Sequence, residues 1–138
     1  MNYSMDNRIK MRLLLLLRQL LDAISDRTAI LEARAGQLID KGPTYRLKTV
    51  DPDPRLPDLL FEPLTDLTVA ISMLQSRFTG VIRELPERQE EHYLVFESKL
   101  QVRRLSGVAD ICQKFLHYRE NHDEIYWLES RKSSRGEP

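Results

Sequence analysis

The chain has 138 residues, of which 41% are hydrophobic and 30% charged, a balance typical of one globular domain built from amphipathic helices. Its 21 lysines and arginines balance its 21 acids, so no overall field draws it to nucleic acid or to an anionic membrane, and any such binding must come from a local patch. The one cysteine, Cys112, excludes a disulfide within this chain and a cysteine-only zinc or iron–sulfur site, and it favours a reducing, cytoplasmic setting.

A first long helix is predicted over about residues 5–41. Apolar side chains recur there three or four residues apart, which places them on one face of a helix. The stripe runs through Leu13, Leu17, Leu20, Ile24, Leu31, Ala35 and Leu38. Gly42-Pro43 predicts its end, because proline cannot continue the helical hydrogen-bond ladder and glycine readily adopts the left-handed conformation found at helix ends.

Five consecutive leucines, residues 13–17, follow a basic stretch and superficially resemble the apolar region of a signal peptide. Arg18 and Asp22 interrupt the apolar stretch, no small-residue cleavage site follows, and the run is far shorter than the ~20 residues that span a bilayer. We therefore predict a buried helix face and no membrane association. Because five consecutive leucines cover more than one face of a helix, we expect some of them to contact a neighbour beyond a simple three-helix core.

A proline-marked loop and a second helix follow. Pro52, Pro54 and Pro57 lie among polar residues, a composition that predicts a loop, extended in part, over residues 44–57. A second amphipathic helix is predicted over about residues 58–85, with a kink at Pro63 and a stop at Pro86.

The third helix is predicted over about residues 87–120, and it starts among glutamates that favour the positive end of a helix dipole. The aromatic run Ile125-Tyr126-Trp127-Leu128 then predicts a short strand over about residues 124–129. Residues 130–138 are predicted to form a polar tail.

Together these elements predict one all-α domain over residues 1–138: an antiparallel bundle of three long helices with a proline-rich loop and a short C-terminal β-strand. A single strand has no partner inside a helical bundle. We therefore expect its β partner to lie in another chain or in sequence outside these 138 residues.

The sequence contains no recognisable catalytic constellation, so we predict a chain that is not an enzyme and holds no cofactor of its own. The five glycines occur singly rather than in a phosphate-binding loop. His117 and His122 lie near Glu120 and could hold a cation, but a spacing of five residues does not align two side chains on a helix, and we predict no metal site. Cys112 falls on the apolar stripe of the third helix, where cysteine is usually an inert hydrophobe.

The basic residues are the more informative charges. Arginine beside an exposed aromatic side chain is the composition that follows a phosphate backbone and stacks unpaired bases. A solvated helix face has the same composition, so both interpretations stay open. The candidate residues for single-stranded nucleic acid are Tyr45, Arg46, Lys48, Arg77, Arg83, Arg103 and Arg104.

Four stretches occur in an order that resembles the DinG/YoaA family of bacterial XPD-like helicases. They are Arg18-Gln19-Leu20-Leu21-Asp22, Gly42-Pro43-x-Tyr45-Arg46, Pro63-Leu64-x-Asp66-Leu67 and Glu124-Ile125-Tyr126-Trp127-Leu128-Glu129. The resemblance covers nearly the whole chain and is to the arch domain, a helical insertion in the first motor domain of these helicases. The family's nucleotide loop, DEAH box and four cluster cysteines are absent from this chain.

What the resemblance implies is a parent DNA helicase that uses ATP, Mg²⁺ and a 4Fe–4S cluster and moves 5′ to 3′ along single-stranded DNA. This chain would be a wall of the strand's path, guiding single-stranded DNA or docking a protein partner or the remaining motor domains. A strand that returns into the motor sheet would also explain the unpaired strand. In this interpretation the basic candidates contact phosphates and Tyr45 stacks a base.

An alternative is a helical scaffold or oligomerisation module without a nucleic-acid role. In that case exposed leucines of the first helix pack against a second copy or a partner through coiled-coil-like seams. The leucine run at residues 13–17 motivates this alternative. This alternative predicts a homo-oligomer formed through the first helix, and a monomer in solution would count against it.

Overall fold

Three helices make up most of the described part of the chain. The computed structural model describes residues 7–40, 42–85, 92–121 and 123–130. Helix α1 is Asn7–Ala35, α2 is Glu62–Arg83 and α3 is Tyr93–Leu116. The predicted all-α bundle of three long helices is confirmed. No helix within these ranges is both long and apolar enough to cross a bilayer.

Helix α2 lies at the centre and runs antiparallel to both of its neighbours. Near the start of α1, Arg12 forms an ion pair of 2.7 Å with Glu84, which caps the end of α2. On the other side, the Gln75 side-chain amide donates to the Val102 carbonyl of α3 at 3.4 Å. Helices α1 and α3 are consequently parallel to each other and pack mainly on α2 rather than on one another.

The buried side chains form two adjoining clusters along α2. The leucine core lies at the end of the bundle where α1 begins, and its buried members are Leu13, Leu16, Leu20, Leu74, Phe78, Leu85 and Val95. The ribbon-end core lies at the other end, next to a short two-stranded β-ribbon, and its buried members are Leu38, Leu47, Leu56, Leu60, Leu64, Leu67, Ile71, Cys112, Tyr118 and Tyr126. Leu105 packs against both clusters. Because full burial of one leucine contributes about 1.5–3 kcal/mol, this apolar packing is the main force that holds the helices together.

Helix α1 ends earlier than predicted. The α-helix stops at Ala35, and a 3₁₀ turn, Gly36–Leu38, replaces its predicted last turns. Glycine is a poor α-helix former, and the tighter turn buries Leu38 in the ribbon-end core. Residue 41, where the prediction placed the end, lies outside the described residues.

The irregularity predicted at Pro63 lies just before that residue. Residues Pro57–Phe61 form a π-helical turn in which the Glu62 N–H donates to the Pro57 carbonyl, five residues back. Pro63 is then buried in the first turn of α2. Because proline has no N–H to donate, the regular α-helical ladder is interrupted here and the wider turn fits before it.

Helix α3 begins with a side-chain cap. His92 precedes the helix in an extended conformation, and its Nδ1 accepts the backbone N–H of Leu94 at 3.1 Å. The predicted start near residue 87 lies outside the described residues, which omit 86–91. At the other end the α-helix stops at Leu116, and a 3₁₀ turn, Tyr118–Glu120, covers the last residues of the predicted helix.

The expectation that the C-terminal strand has no partner in this chain is wrong. Strand β1, Thr44–Arg46, and strand β2, Trp127–Glu129, form a two-stranded antiparallel ribbon. The Leu47 N–H donates to the Tyr126 carbonyl at 2.9 Å and so extends the pairing beyond β1. The prolines that indicated a loop lie after β1 and leave its ladder intact. Residues 131–138 of the predicted tail lie outside the described residues.

Candidate nucleic-acid interface

The ribbon has an outer face toward solvent and an inner face toward the helices. Side chains alternate along each strand, so Arg46 and Trp127 stand on the outer face whereas Tyr45 and Leu128 pack inward. Arg46 and Trp127 are directly opposite each other in the ladder. Opposite residues have Cβ atoms about 4.5–5.5 Å apart, so the guanidinium and the indole share one surface. The Trp127 residue is 57% exposed.

Lys48 extends this basic side of the ribbon. It follows Arg46 by two residues, with the buried Leu47 between them, so the alternation places both basic side chains on the same side. Within the described ranges neither Arg46 nor Lys48 forms an ion pair. Their charges are therefore available to an anion.

Tyr45 is anchored on the inner face by the loop that follows β1. Its hydroxyl donates to Oδ2 of Asp53 at 2.8 Å. Arg55 holds the same carboxylate, with Nη2 2.8 Å from Oδ2 and the backbone N–H 2.9 Å from Oδ1. Arg55 Nη1 also donates to the Gln37 carbonyl at 3.4 Å. The half-buried Tyr45 thus orients the ribbon, and the ring presented to solvent at this site is Trp127.

The bonds within this network determine its protonation states. Hydrogen bonds from Arg55 hold the pKa of the Asp53 carboxyl well below its usual range. Burial and the bond to Asp53 raise the pKa of Tyr45 to about 12. At neutral pH Asp53 is therefore an anion and Tyr45 a neutral donor. Arg55 compensates the Asp53 charge. The outer face itself has the cations Arg46 and Lys48 and one carboxylate, Glu129, which the alternation places on the same side as Trp127.

Two tyrosines behind the ribbon hold it against α3. The Tyr118 hydroxyl donates to the Lys48 carbonyl at 2.8 Å. The rings of Tyr118 and Tyr126 have centroids 6.4 Å apart, and Phe115 of α3 meets Tyr126 edge-on at 5.1 Å. This packed inner layer holds the backbone of the outer face in one place, which reduces the ordering cost of a binding event there.

The two candidate arginines of α2 lie away from the ribbon. Arg77 lines a shallow depression between α2 and α1, together with Arg12 and Leu15. Arg83 lines a separate depression together with Thr79. At 1.5 Å per residue, Arg77 is about 20 Å along α2 from the end that packs behind the ribbon. These two arginines therefore belong to neither the ribbon patch nor one common patch.

The two candidate arginines of α3 are exposed and point in different directions. Arg103 and Arg104 are consecutive, and successive side chains on an α-helix diverge by about 100°. They lie about 20 Å from the end of α3 that packs behind the ribbon. Of the seven candidates from the sequence, Arg46 and Lys48 lie on one face of the ribbon with the exposed Trp127, and Tyr45 lies beneath them. On α3, Arg103 follows the exposed Phe96 by seven residues, two turns along one helix face.

Trp127 is the site residue that the sequence reasoning missed. The aromatic run indicated a strand, but without a partner strand the neighbours of Trp127 could not be named. The pattern that could have found the partner is Tyr45-Arg46-Leu47-Lys48, where apolar and basic residues alternate with the period of a half-buried strand. The prolines that follow this segment led to the prediction of a loop, so the strand was not predicted.

Cys112 and the histidines His117 and His122 were also considered as site residues from the sequence. Cys112 is buried in the ribbon-end core, and burial raises the pKa of its thiol. Nδ1 of His117 lies 3.5 Å from Oε1 of Glu120, and His122 lies outside the described residues. In the ranges that the structure describes, no three His, Cys, Asp or Glu side chains converge in a way that could hold a metal ion.

Comparisons with family models, with curated proteins and with solved structures found no match to this chain. The geometry of the chain itself is therefore the basis for inferring its function. On the outer face of the ribbon, the cations Arg46 and Lys48 and the exposed Trp127 ring lie together.

Proposed function

We propose that this chain is an accessory, arch-like domain of an ATP-dependent 5′-to-3′ DNA helicase, and that it guides single-stranded DNA without catalysing a reaction itself. The order of motifs that resembles the DinG/YoaA arch supports the helicase context. ATP, Mg²⁺ and the 4Fe–4S cluster belong, in this proposal, to the motor domains of the parent enzyme. The DNA-guiding role rests on one observation, the placement of Arg46 opposite the exposed Trp127.

Each group of the outer face suits one part of a single strand. The Trp127 indole provides a flat surface on which an unpaired base stacks, a contact worth about 1–3 kcal/mol per base. Arg46 and Lys48 provide positive charge to the neighbouring phosphates, and neutralising a phosphate releases bound counterions. None of these contacts reads the edge of a base, so the proposed binding does not depend on sequence.

The small number of contacts predicts weak binding, as a guiding surface requires if the strand is to move along it. Neutralising two phosphates of a single strand gives a slope of about −1.4 when the logarithm of the association constant is plotted against the logarithm of salt concentration. The neutral net charge of the chain provides no further attraction. The ribbon patch itself therefore accounts for the affinity in this proposal.

Fluorescence anisotropy of a labelled single-stranded oligonucleotide tests the proposal. We expect salt-sensitive binding that Trp127→Ala and Arg46→Ala each weaken by roughly tenfold, because one stack or one phosphate contact is lost. Arg103→Ala is the matched control, since it removes the same charge from an exposed site about 20 Å from the ribbon. It is expected to leave the affinity within about twofold of the wild type.

Two results would count against the proposal. The first is an absence of binding at low salt and high protein concentration. The second is binding that Arg46→Ala and Arg103→Ala weaken equally, because that result indicates attraction by diffuse charge rather than by the ribbon patch.

A further inference from the structure

A wide apolar groove runs between α1 and α3 in the half of the bundle that carries the ribbon. It has a volume of about 860 Å³. Ile24 and Leu31 of α1 form one wall, Ile111 and Phe115 of α3 form the other, and Leu64 of α2 lies in the floor. Both walls pack on α2 rather than on each other, so the three helices occupy three corners of a four-helix arrangement. A further helix fits the shape of this groove.

The other half of α1 has the complementary shape on the same side of the helix. Leu14 and Leu21 project from it, with 42% and 69% of each residue exposed. A spacing of seven residues aligns them with Thr28 and Ala35, which line the groove. The second row of the same heptad seam is Leu17, Ile24 and Leu31. One side of α1 therefore has an apolar ridge at one end and an apolar groove at the other.

We propose that a second copy of this chain docks in the groove, with the two α1 helices antiparallel about a twofold axis near Ser25. A twofold interface needs a surface that is complementary to itself, in which residue i meets residue j and j meets i. A ridge and a groove at opposite ends of one helix side meet this requirement. The ridge of each copy enters the groove of the other.

The heights of the residues agree with this arrangement. The Arg34–Glu62 ion pair places residue 34 of α1 level with residue 62 of α2, so the antiparallel packing places residue 29 level with residue 67. In the same way, the Gln75–Val102 hydrogen bond places residue 67 of α2 level with residue 110 of α3. With the axis at Ser25, Leu21 of the second copy lies level with residue 29, between the heights of Val108 and Ile111. Leu14 of the second copy then lies near the height of Phe115. Both projecting leucines thus meet the apolar wall that α3 provides.

The charges that flank the seam favour a second copy as the occupant. Arg18 and Glu32 are exposed on the same flank of α1, at equal distances in sequence on either side of Ser25. Within the described ranges neither forms an ion pair. In the antiparallel dimer Arg18 of each copy faces Glu32 of the other, which gives two symmetric pairs. A parallel dimer does not bring these opposite charges level with each other.

Sedimentation equilibrium of the full chain, without DNA, tests the proposal. We expect a reversible dimer with twice the mass of one chain. Leu21→Asp puts two carboxylates into the apolar interface and is expected to raise the dimer Kd by roughly a hundredfold or more. Because Leu21 is exposed in the single chain, the helical circular dichroism stays unchanged. Val69→Asp is the matched control, at a comparably exposed apolar residue of α2 outside the groove, and it leaves the Kd unchanged.

Charge reversal tests the antiparallel register. Arg18→Glu and Glu32→Arg each replace two attractive pairs by two repulsive ones, so each is expected to raise the Kd by roughly tenfold. The double variant restores both pairs with reversed sign, and its Kd is expected to return to within about twofold of the wild type.

A monomer at the highest concentrations that remain soluble overturns the proposal. So does a dimer that Leu21→Asp and Val69→Asp affect equally, or one in which the double charge reversal fails to recover the affinity of the wild type. These experiments leave Arg46 and Trp127 unchanged and contain no nucleic acid, so their outcome is independent of the proposed DNA-guiding function.

Discussion

At the end of the bundle where α1 begins, buried leucines hold the helices together, and the Arg12–Glu84 ion pair between α1 and α2 is exposed. At the ribbon end, an apolar core is combined with specific hydrogen bonds, among them those of Asp53 and of the Tyr118 hydroxyl. Apolar packing is not directional, whereas a hydrogen bond constrains the position of both its partners. The leucine end is therefore held mainly by apolar packing, and the ribbon end is held by apolar packing together with directional hydrogen bonds.

This difference matters for what each end can bind. Leucines of α1 fill the interior and also lie on the surface, where Leu14 and Leu21 match the groove on the same helix side. At the ribbon end, the outer face of the ribbon exposes Arg46, Lys48 and the Trp127 ring, and the nearby residues Val50 and Ile125 are also exposed. The first surface suits another apolar helix, and the second suits a charged strand with unpaired bases.

The largest expected effect removes apolar packing at the leucine end. Leu13 is 0% exposed, so Leu13→Ala leaves a cavity and is expected to lower the free energy of unfolding by about 2–5 kcal/mol. Leu15→Ala, two residues away at an exposed position off the seam, is expected to change it by less than about 0.5 kcal/mol. Urea unfolding followed by circular dichroism measures both. Similar losses in the two variants would contradict the assignment of buried and exposed leucines.

The next largest effect is expected from weakening the hydrogen bonds of Asp53 at the ribbon end. Asp53→Asn deprives Tyr45 and Arg55 of a charged acceptor, and we expect a loss of about 1–3 kcal/mol in the free energy of unfolding. The Asp53 pKa is lower in the folded chain than in the unfolded one, so its contribution is present above the ordinary carboxyl pKa of about 3.9 and is lost as pH falls below it.

Urea unfolding between neutral and acid pH checks this prediction. The wild type is expected to lose more stability on acidification than Asp53→Asn does. Asp66→Asn, which removes an exposed carboxylate of α2, is the control and keeps the acid dependence of the wild type. An acid dependence that is the same in all three proteins would show that the Asp53 network does not contribute.

The smallest expected effect is at alkaline pH. The pKa of Tyr45 is raised to about 12, above the ordinary tyrosine value of about 10, so the folded chain keeps this proton longer than the unfolded chain does. Its contribution is fully present below pH ~10 and is lost as pH rises from about 10 to about 12. Tyr45→Phe is expected to cost about 0.5–1.5 kcal/mol at neutral pH and to flatten the alkaline decline in stability. A decline as steep as that of the wild type would count against the Tyr45–Asp53 bond.

The helical part of the fold was readable from the sequence because its pattern is local. Apolar residues three and four apart identified all three helices, and the length of the leucine run showed that it covers more than one face. Helix ends were less predictable, since Leu38 is buried by a 3₁₀ turn that depends on the core it enters. The π-helical turn before Pro63 likewise reflects how the chain packs and not only its proline.

The ribbon and its site were not readable in the same way. Each strand has three residues, and the pairing of Arg46 with Trp127 joins positions far apart in the chain. A register of that kind follows from the packed helices that bring the two segments together, and no short pattern contains it. The sequence could therefore name Arg46 and Lys48 as candidates, but not the ring beside them. It also could not separate them from the arginines of α2 and α3.

Intrinsic fluorescence tests the proposed DNA-guiding role of the ribbon most directly, because Trp127 is the only tryptophan in the chain. The chain is titrated with unlabelled single-stranded oligonucleotide at low salt. If a base stacks on Trp127, the emission is quenched to saturation, added salt reverses the quenching, and Arg46→Ala but not Arg103→Ala weakens it. An emission that stays unchanged while anisotropy shows the oligonucleotide bound would mean that the strand binds elsewhere and that the outer face of the ribbon is not its path.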